Sequence, residues 1–196
     1  MIIGVIMAGG KGTRIQNENK PLVNYKNKPM IDYVIKALNN SQYIDKIIIT
    51  ISNNTKKLYE HIQETPKITT LTTPAKGYVE DLSFILSHLE KNSTQDTVLF
   101  ISADMPLVTT KSIDYVIEQY QKTDKEALAV YVPKSFIDQY GLKTGIVYND
   151  MVPTGLNILT SKNTVQDEEI LLIEDEGLAI NINYMEDLKI IEKKKQ

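Results

Sequence analysis

The sequence has no cysteine. That excludes disulfide staples, a thiolate nucleophile and a cysteine-ligated zinc site. It has two histidines, His61 and His88. Both fall in helical patterns away from any strand end, with no partner at metal-ligand spacing, so neither is expected to be catalytic and no Ser-His-Asp arrangement is expected. No apolar run approaches the roughly 20 residues of a membrane-spanning helix. Residues 1–8 have no basic flank before them, so no secretory leader is expected and the cytoplasm is the expected location. Neither sign of charge dominates. The net charge is −3, which argues against nucleic acid as a partner while leaving room for a small basic pocket. Internal repeats and long linkers are missing, so 1–196 is expected to be one domain. Arginine is nearly missing. Of the 22 basic residues, Arg14 is the only arginine. A planar guanidinium grips two phosphate oxygens at once, which an ammonium cannot do, so a lone arginine against a lysine background marks a candidate anion site.

What is present reads as strands alternating with helices. Residues 1–7 (MIIGVIM), 46–51 (KIIITI) and 97–101 (TVLFI) are continuous apolar runs, as in strands buried on both faces. Residues 68–72, 127–132, 155–159 and 170–173 read as further strands. Helices are expected over 29–39, 56–63, 79–89, 111–120 and 187–195, the first with Pro29 in its opening turn. This alternation predicts an α/β fold with a mostly parallel central sheet covered by helices on both faces, a Rossmann-like three-layer sandwich. The polar stretch 135–152, with Gly141 and Gly145, is expected to be a flap or insertion.

Ligands in such sheets bind beyond the carboxyl ends of the strands. Two segments lie there. Ala8, Gly9, Gly10, Lys11, Gly12, Thr13 and Arg14 follow the first strand. Clustered glycines let backbone N–H groups close around an anion, and Lys11, Arg14 and the nearby Lys20-Pro21-Leu22 add positive charge. The pattern is not a Walker A loop, because Gly12 follows Lys11. It is not a dinucleotide fingerprint, because Ile15 stands at the third glycine position. Asp104-Met105-Pro106-Leu107 follows the strand over 97–101. A carboxylate beside phosphates requires a cation between them, so the two segments together point to a magnesium nucleotide. Two further segments are candidates. Gly77-Tyr78-Val79-Glu80-Asp81 opens a helix and can approach a base or an acceptor. Asn181-Ile182-Asn183 precedes the last helix, where an Asn carbonyl can ligate a metal or Asn183 can cap the helix.

Ala8–Arg14 with Lys20-Pro21-Leu22 resembles the signature of the MobA-like nucleotidyltransferases, the group of the molybdenum-cofactor guanylyltransferases and the sugar-phosphate nucleotidyltransferases, with a GT-A-like fold. Asp104-Met105-Pro106-Leu107 resembles their metal-binding motif. Asn181-Ile182-Asn183 with Asp187-Leu188 resembles their C-terminal motif, with Tyr184 where Thr is usual. Within that group, the short chain and three segments, 76–82, 126–130 followed by Pro133-Lys134, and 152–157, are most similar to the archaeal guanylyltransferases acting on adenosylcobinamide phosphate in cobalamin biosynthesis.

The resemblance implies transfer of GMP from GTP to the phosphate of adenosylcobinamide phosphate, with pyrophosphate released. It implies that Ala8, Gly9, Gly10, Gly12, Thr13, Gly77 and Gly155 bind nucleotide or let it approach. Lys11 and Arg14 would hold the phosphates and Lys20 would reach the α-phosphate. Asp104 would hold Mg²⁺ with Asn181 or Asn183. An acceptor phosphate is already anionic, so no general base is needed, which agrees with the lack of a catalytic His or Cys. The alternatives are a molybdenum-cofactor or sugar-phosphate nucleotidyltransferase and, from another class, a non-catalytic nucleotide-binding protein. The oligomeric state, including a homodimer, stays open.

Overall fold

The structure is a computed structural model and describes residues 1–10, 20–62 and 68–194. A seven-stranded sheet forms its centre, in the order β5-β4-β1-β6-β8-β7-β9. The strands are β1 (Ile2–Met7), β4 (Lys46–Ile51), β5 (Ile68–Thr72), β6 (Thr97–Ser102), β7 (Ala127–Pro133), β8 (Met151–Thr160) and β9 (Glu168–Leu172). All neighbours are parallel except at β8, which runs antiparallel to β6 and β7. A hairpin of two-residue strands, β2 (Asn24–Tyr25) and β3 (Lys28–Pro29), stands apart from the sheet. Its turn residues, Lys26 and Asn27, both have positive φ, as a tight two-residue hairpin turn requires.

The period-two alternation of the strands sorts the core. One face carries Ile6, Ile47, Ile49, Leu99, Ile101, Leu128, Val130, Leu156 and Ile158. Against it pack α1 (Met30–Asn39), α2 (Lys56–Ile62), α4 (Thr110–Tyr120) and the short α6 (Glu176–Ala179), through Ile31, Val34, Leu38, Leu58, Ile113, Val116, Ile117 and Leu178. The other face carries Ile3, Val5, Ile48, Val98 and Phe100, covered by α3 (Tyr78–Leu89) through Ile85, Leu86 and Leu89. In a separate cluster, α7 (Met185–Lys194) packs Leu188 and Ile191 on Tyr25, Met30, Ile180 and Ile182. The expected helix boundaries hold to within a residue or two; α1 begins at Met30, with Pro29 as its N-cap.

Cover on both faces holds only for half of the sheet. On β7, β8 and β9 the helices sit on the first face, and α5 (Lys134–Asp138) joins them through Ile137, Val132 and Val152. On the second face the registered rows Asn157–Ala129–Ile170 and Pro153–Tyr131–Leu172 reach solvent, with Ile170 44% and Leu172 50% exposed. The reason is the direction of β8. Antiparallel neighbours need no helical crossover, and none of the described helices lies on that side. The stretch 135–152 contains α5, a left-handed Gly141 and a turn at Asn149 and Asp150 that closes a Tyr148–Met151 bridge. Ile146, Val147 and Tyr148 are exposed on it.

Candidate active site

The first rim segment is pinned where it leaves the sheet. The buried Thr50 hydroxyl of β4 accepts the N–H groups of Ala8 and Gly9 at 2.9 and 3.2 Å, and its oxygen lies 3.2 Å from the Ile6 carbonyl, to which it donates. Gly9 must lack a side chain, because a Cβ there would lie 2.8 Å from Thr73 Oγ1 and 3.3 Å from the Ile51 carbonyl. Among the described residues, nothing lies within 4 Å of where a Cβ at Gly10 would be. Lys11, Gly12, Thr13 and Arg14 lie outside the described residues. The described chain resumes at Lys20, which opens a single 3-10 turn, Lys20–Leu22, with Pro21 buried.

Lys20 and Asp104 are 84 residues apart in sequence and form an ion pair, Lys20 Nζ to Asp104 Oδ2. Their side chains are 16% and 12% exposed, so the pair is largely screened from water. The loop carrying Asp104 is fixed to β1 by the Ala103 N–H, which donates to the Met7 carbonyl at 3.3 Å. The Asp104 carbonyl accepts the Ile182 N–H at 2.9 Å. That contact sets Asn181 and Asn183 on either side of Asp104. Asn183 Oδ1 lies 3.5 Å from Lys20 Nζ. Asp187, buried in the first turn of α7, accepts the N–H groups of both Asn183 and Tyr184 at 2.8 Å. It uses only the backbone of Tyr184, so a tyrosine in place of the family's threonine leaves this contact intact.

Two buried oxygens here, Asp104 Oδ1 and Asn181 Oδ1, have no hydrogen-bond partner among the described residues. Leaving such acceptors unpaired is costly unless a cation or ligand satisfies them. Both are hard oxygen donors, the kind magnesium takes. No group of three His, Cys, Asp or Glu residues able to hold a metal occurs among the described residues. A cation here would therefore complete its shell with water and substrate oxygens, as Mg²⁺ commonly does.

Gly155 on β8 borders the same place. A Cβ there would lie 2.8 Å from both Met105 Sδ and Ser102 Cβ, and 3.1 Å from Asn181 Nδ2. The close approach it permits on that side is made by the protein's own side chains, where the sequence reading had a ligand approaching. Gly77 has φ +140° and precedes α3. The hydroxyl of Tyr78 donates to Asn157 Oδ1 at 3.0 Å. Burial of that hydroxyl raises its pKa to about 12, although half of the tyrosine surface faces solvent. His61 does have a partner, Asp32 Oδ1 at 2.7 Å, but the pair lies on the exposed surfaces of α1 and α2, away from the strand ends. Two concavities of the described residues lie between α4 and β9 and beside α2 and β5, apart from this rim.

Sequence reading missed Thr50 and Thr73, and assigned no role to Asn157 or Asp187. A threonine inside the apolar run 46–51 was the available signal for the first.

Comparison with known proteins agrees with this geometry. The profile of the MobA-like NTP transferase domain matches residues 4–151. An adenosylcobinamide-phosphate guanylyltransferase of Methanocaldococcus jannaschii is 35% identical over 96% of this chain and 94% of its own. A probable molybdenum cofactor guanylyltransferase of Thermococcus sibiricus is 29% identical over 68% of this chain and 62% of its own. Among solved structures, the 4-diphosphocytidyl-2C-methyl-D-erythritol synthase of Anaerococcus prevotii covers 100% of this chain and 98% of its own at TM-score 0.71 and 14% identity, which speaks to fold alone. From the anchored glycine loop, the Asp104 rim and the match over 4–151, the chain belongs to the MobA-like NTP transferase family.

Proposed function

We propose that this protein transfers GMP from GTP to the phosphate of adenosylcobinamide phosphate, releasing pyrophosphate. The observation that carries the reading is the whole-length similarity to the Methanocaldococcus jannaschii guanylyltransferase, joined to a rim where Lys20, Asp104, Asn181 and Asn183 converge. Attack by an acceptor phosphate oxygen on the α-phosphorus of GTP forms one P–O bond, and the bond to the pyrophosphate breaks. The acceptor oxygen is already anionic, so the protein's work is to position two anions and neutralise their charge.

In this reading, the backbone of Ala8, Gly9 and Gly10, with Lys11, Gly12, Thr13 and Arg14, wraps the triphosphate, and Gly77 lies beside the nucleotide. Lys11 and Arg14 take the charge that builds on the departing pyrophosphate, and Lys20 serves the α-phosphate. Asp104 and Asn181 would hold Mg²⁺, with Asn183 beside them. The cation, when bound, supplies charge neutralisation at the phosphates. Gly155 keeps Asn181 close to β8. The open face of β8, β7 and β9 begins at Asn157 and continues through Tyr131, Ile170 and Leu172. The broad, amide-fringed corrinoid ring would lie on that face, with its phosphate directed toward Asp104.

Pyrophosphate release from GTP with adenosylcobinamide phosphate, beside molybdopterin and sugar phosphates as acceptors, tests the proposal. The expected result is release with adenosylcobinamide phosphate and Mg²⁺ that ATP, CTP and UTP do not support. Preference for another acceptor at equal nucleotide would replace it.

A further inference from the structure

The two oxygens of the Asp104 carboxylate stand in different states. Oδ2 carries the Lys20 ammonium, while Oδ1 is buried with no partner among the described residues, as is Asn181 Oδ1. A site that has a lysine on one oxygen and two unpaired hard acceptors beside it is incompletely matched by that lysine. The ammonium's second contact, to Asn183 Oδ1, is long at 3.5 Å. Among the described residues, Lys20 is therefore held chiefly by the Asp104 carboxylate. Its four-carbon stem is flexible, so the head can move without moving the backbone.

We infer that Lys20 is a stand-in counter-ion that keeps Asp104 closed to divalent cations until nucleotide phosphates draw its ammonium away. The pair lies in a poorly hydrated place, so a positive charge on Asp104 repels a second cation with little screening. A triphosphate brings more negative charge than one carboxylate and competes for the lysine. Once the ammonium leaves, Oδ2 joins Oδ1 and Asn181 Oδ1 as a donor set. The metal then enters with the nucleotide, and by linkage each raises the affinity of the other. Lys20 acts in this respect as a positioning residue, one that orders the arrival of charges. The inference rests on the reading of Asp104 as the metal's carboxylate.

Mn²⁺ binding to the intact chain, read by electron paramagnetic resonance without acceptor, tests it. Without nucleotide the parent should bind Mn²⁺ weakly, and GTP should tighten it. Lys20→Met should bind Mn²⁺ at least about tenfold more tightly without nucleotide, the size a neighbouring charge imposes on proton affinity at such a carboxylate. Its gain on adding GTP should shrink. Lys20→Arg keeps the charge and should stay weak like the parent. Unchanged or weaker Mn²⁺ binding by Lys20→Met overturns the inference, while Asp104→Asn losing Mn²⁺ in the same series keeps the metal assignment intact. Mn²⁺ binding that survives Asp104→Asn overturns both.

Discussion

The two halves of the sheet obey different rules. β5, β4, β1 and β6 are parallel, and β1, β4 and β6 are buried on both faces. β8, β7 and β9 include the antiparallel strand and are covered on one face. The first half holds the rim from which Ala8 to Gly10 and Asp104 project. The second presents an open, partly apolar floor beside it. Under the proposed function the contrast becomes a division of labour: the doubly covered half would fix charges against phosphates, and the uncovered half would leave room for a large acceptor.

Stability should be concentrated in the first half. Phe100 is fully buried in β6 against α3. Phe100→Ala should cost about 3–5 kcal/mol, read by denaturant unfolding. A cost under about 1 kcal/mol would mean that this half is less tightly packed than the structure shows. Next in size is the rim. Asp104→Ala should leave a folded protein whose turnover falls by roughly 100-fold or more, the cost of losing one electrostatic stabiliser of the transition state. Near-parent activity at ordinary Mg²⁺ would remove Asp104 from the metal site.

Arg14→Lys should lose roughly ten- to hundredfold in kcat/KM, the worth of one charge-assisted hydrogen bond. Lys56→Arg, on the outer surface of α2, is the control. If the two behave alike, the lone arginine has no geometric role.

The open half should show the reverse of Phe100. Replacing Ile170 and Leu172 together by Thr should change stability by no more than about 1 kcal/mol, since both are already half exposed. It should raise the acceptor KM several-fold and leave GTP affinity at the parent value. A change in GTP affinity instead would merge the two halves into one site.

The smallest effect concerns Tyr78, which joins α3 to β8 across the boundary between the halves. Its folded pKa is raised from 10.0 to about 12, so the phenol is held neutral in the native state. Its contribution is complete below pH 10 and is lost as pH climbs through 12. Tyr78→Phe should flatten that limb of the stability profile, measured by thermal unfolding against pH.

The sequence displayed these halves unequally, for a physical reason. Strands buried on both faces are unbroken apolar runs, so β1, β4 and β6 could be read directly. β8 interleaves Pro153, Thr154, Gly155 and Asn157 with its apolar positions, because one of its faces is open, and only 155–159 of Met151–Thr160 was legible. β9 read two residues late for the same reason. The β2–β3 hairpin has too few residues to show any period. At the site, Lys20, Asp104, Asn181 and Asn183 were each visible as motif residues. The ion pair between the first two, and the unpaired oxygens of Asp104 and Asn181, needed the fold, since 84 residues separate Lys20 from Asp104.

Transfer of label from GTP is the most direct test of the central claim. With adenosylcobinamide phosphate and Mg²⁺, phosphorus from α-labelled GTP should appear in the corrinoid product and phosphorus from γ-labelled GTP should appear in pyrophosphate. Label from the γ position in the corrinoid, or none from either, would contradict guanylyl transfer by this protein.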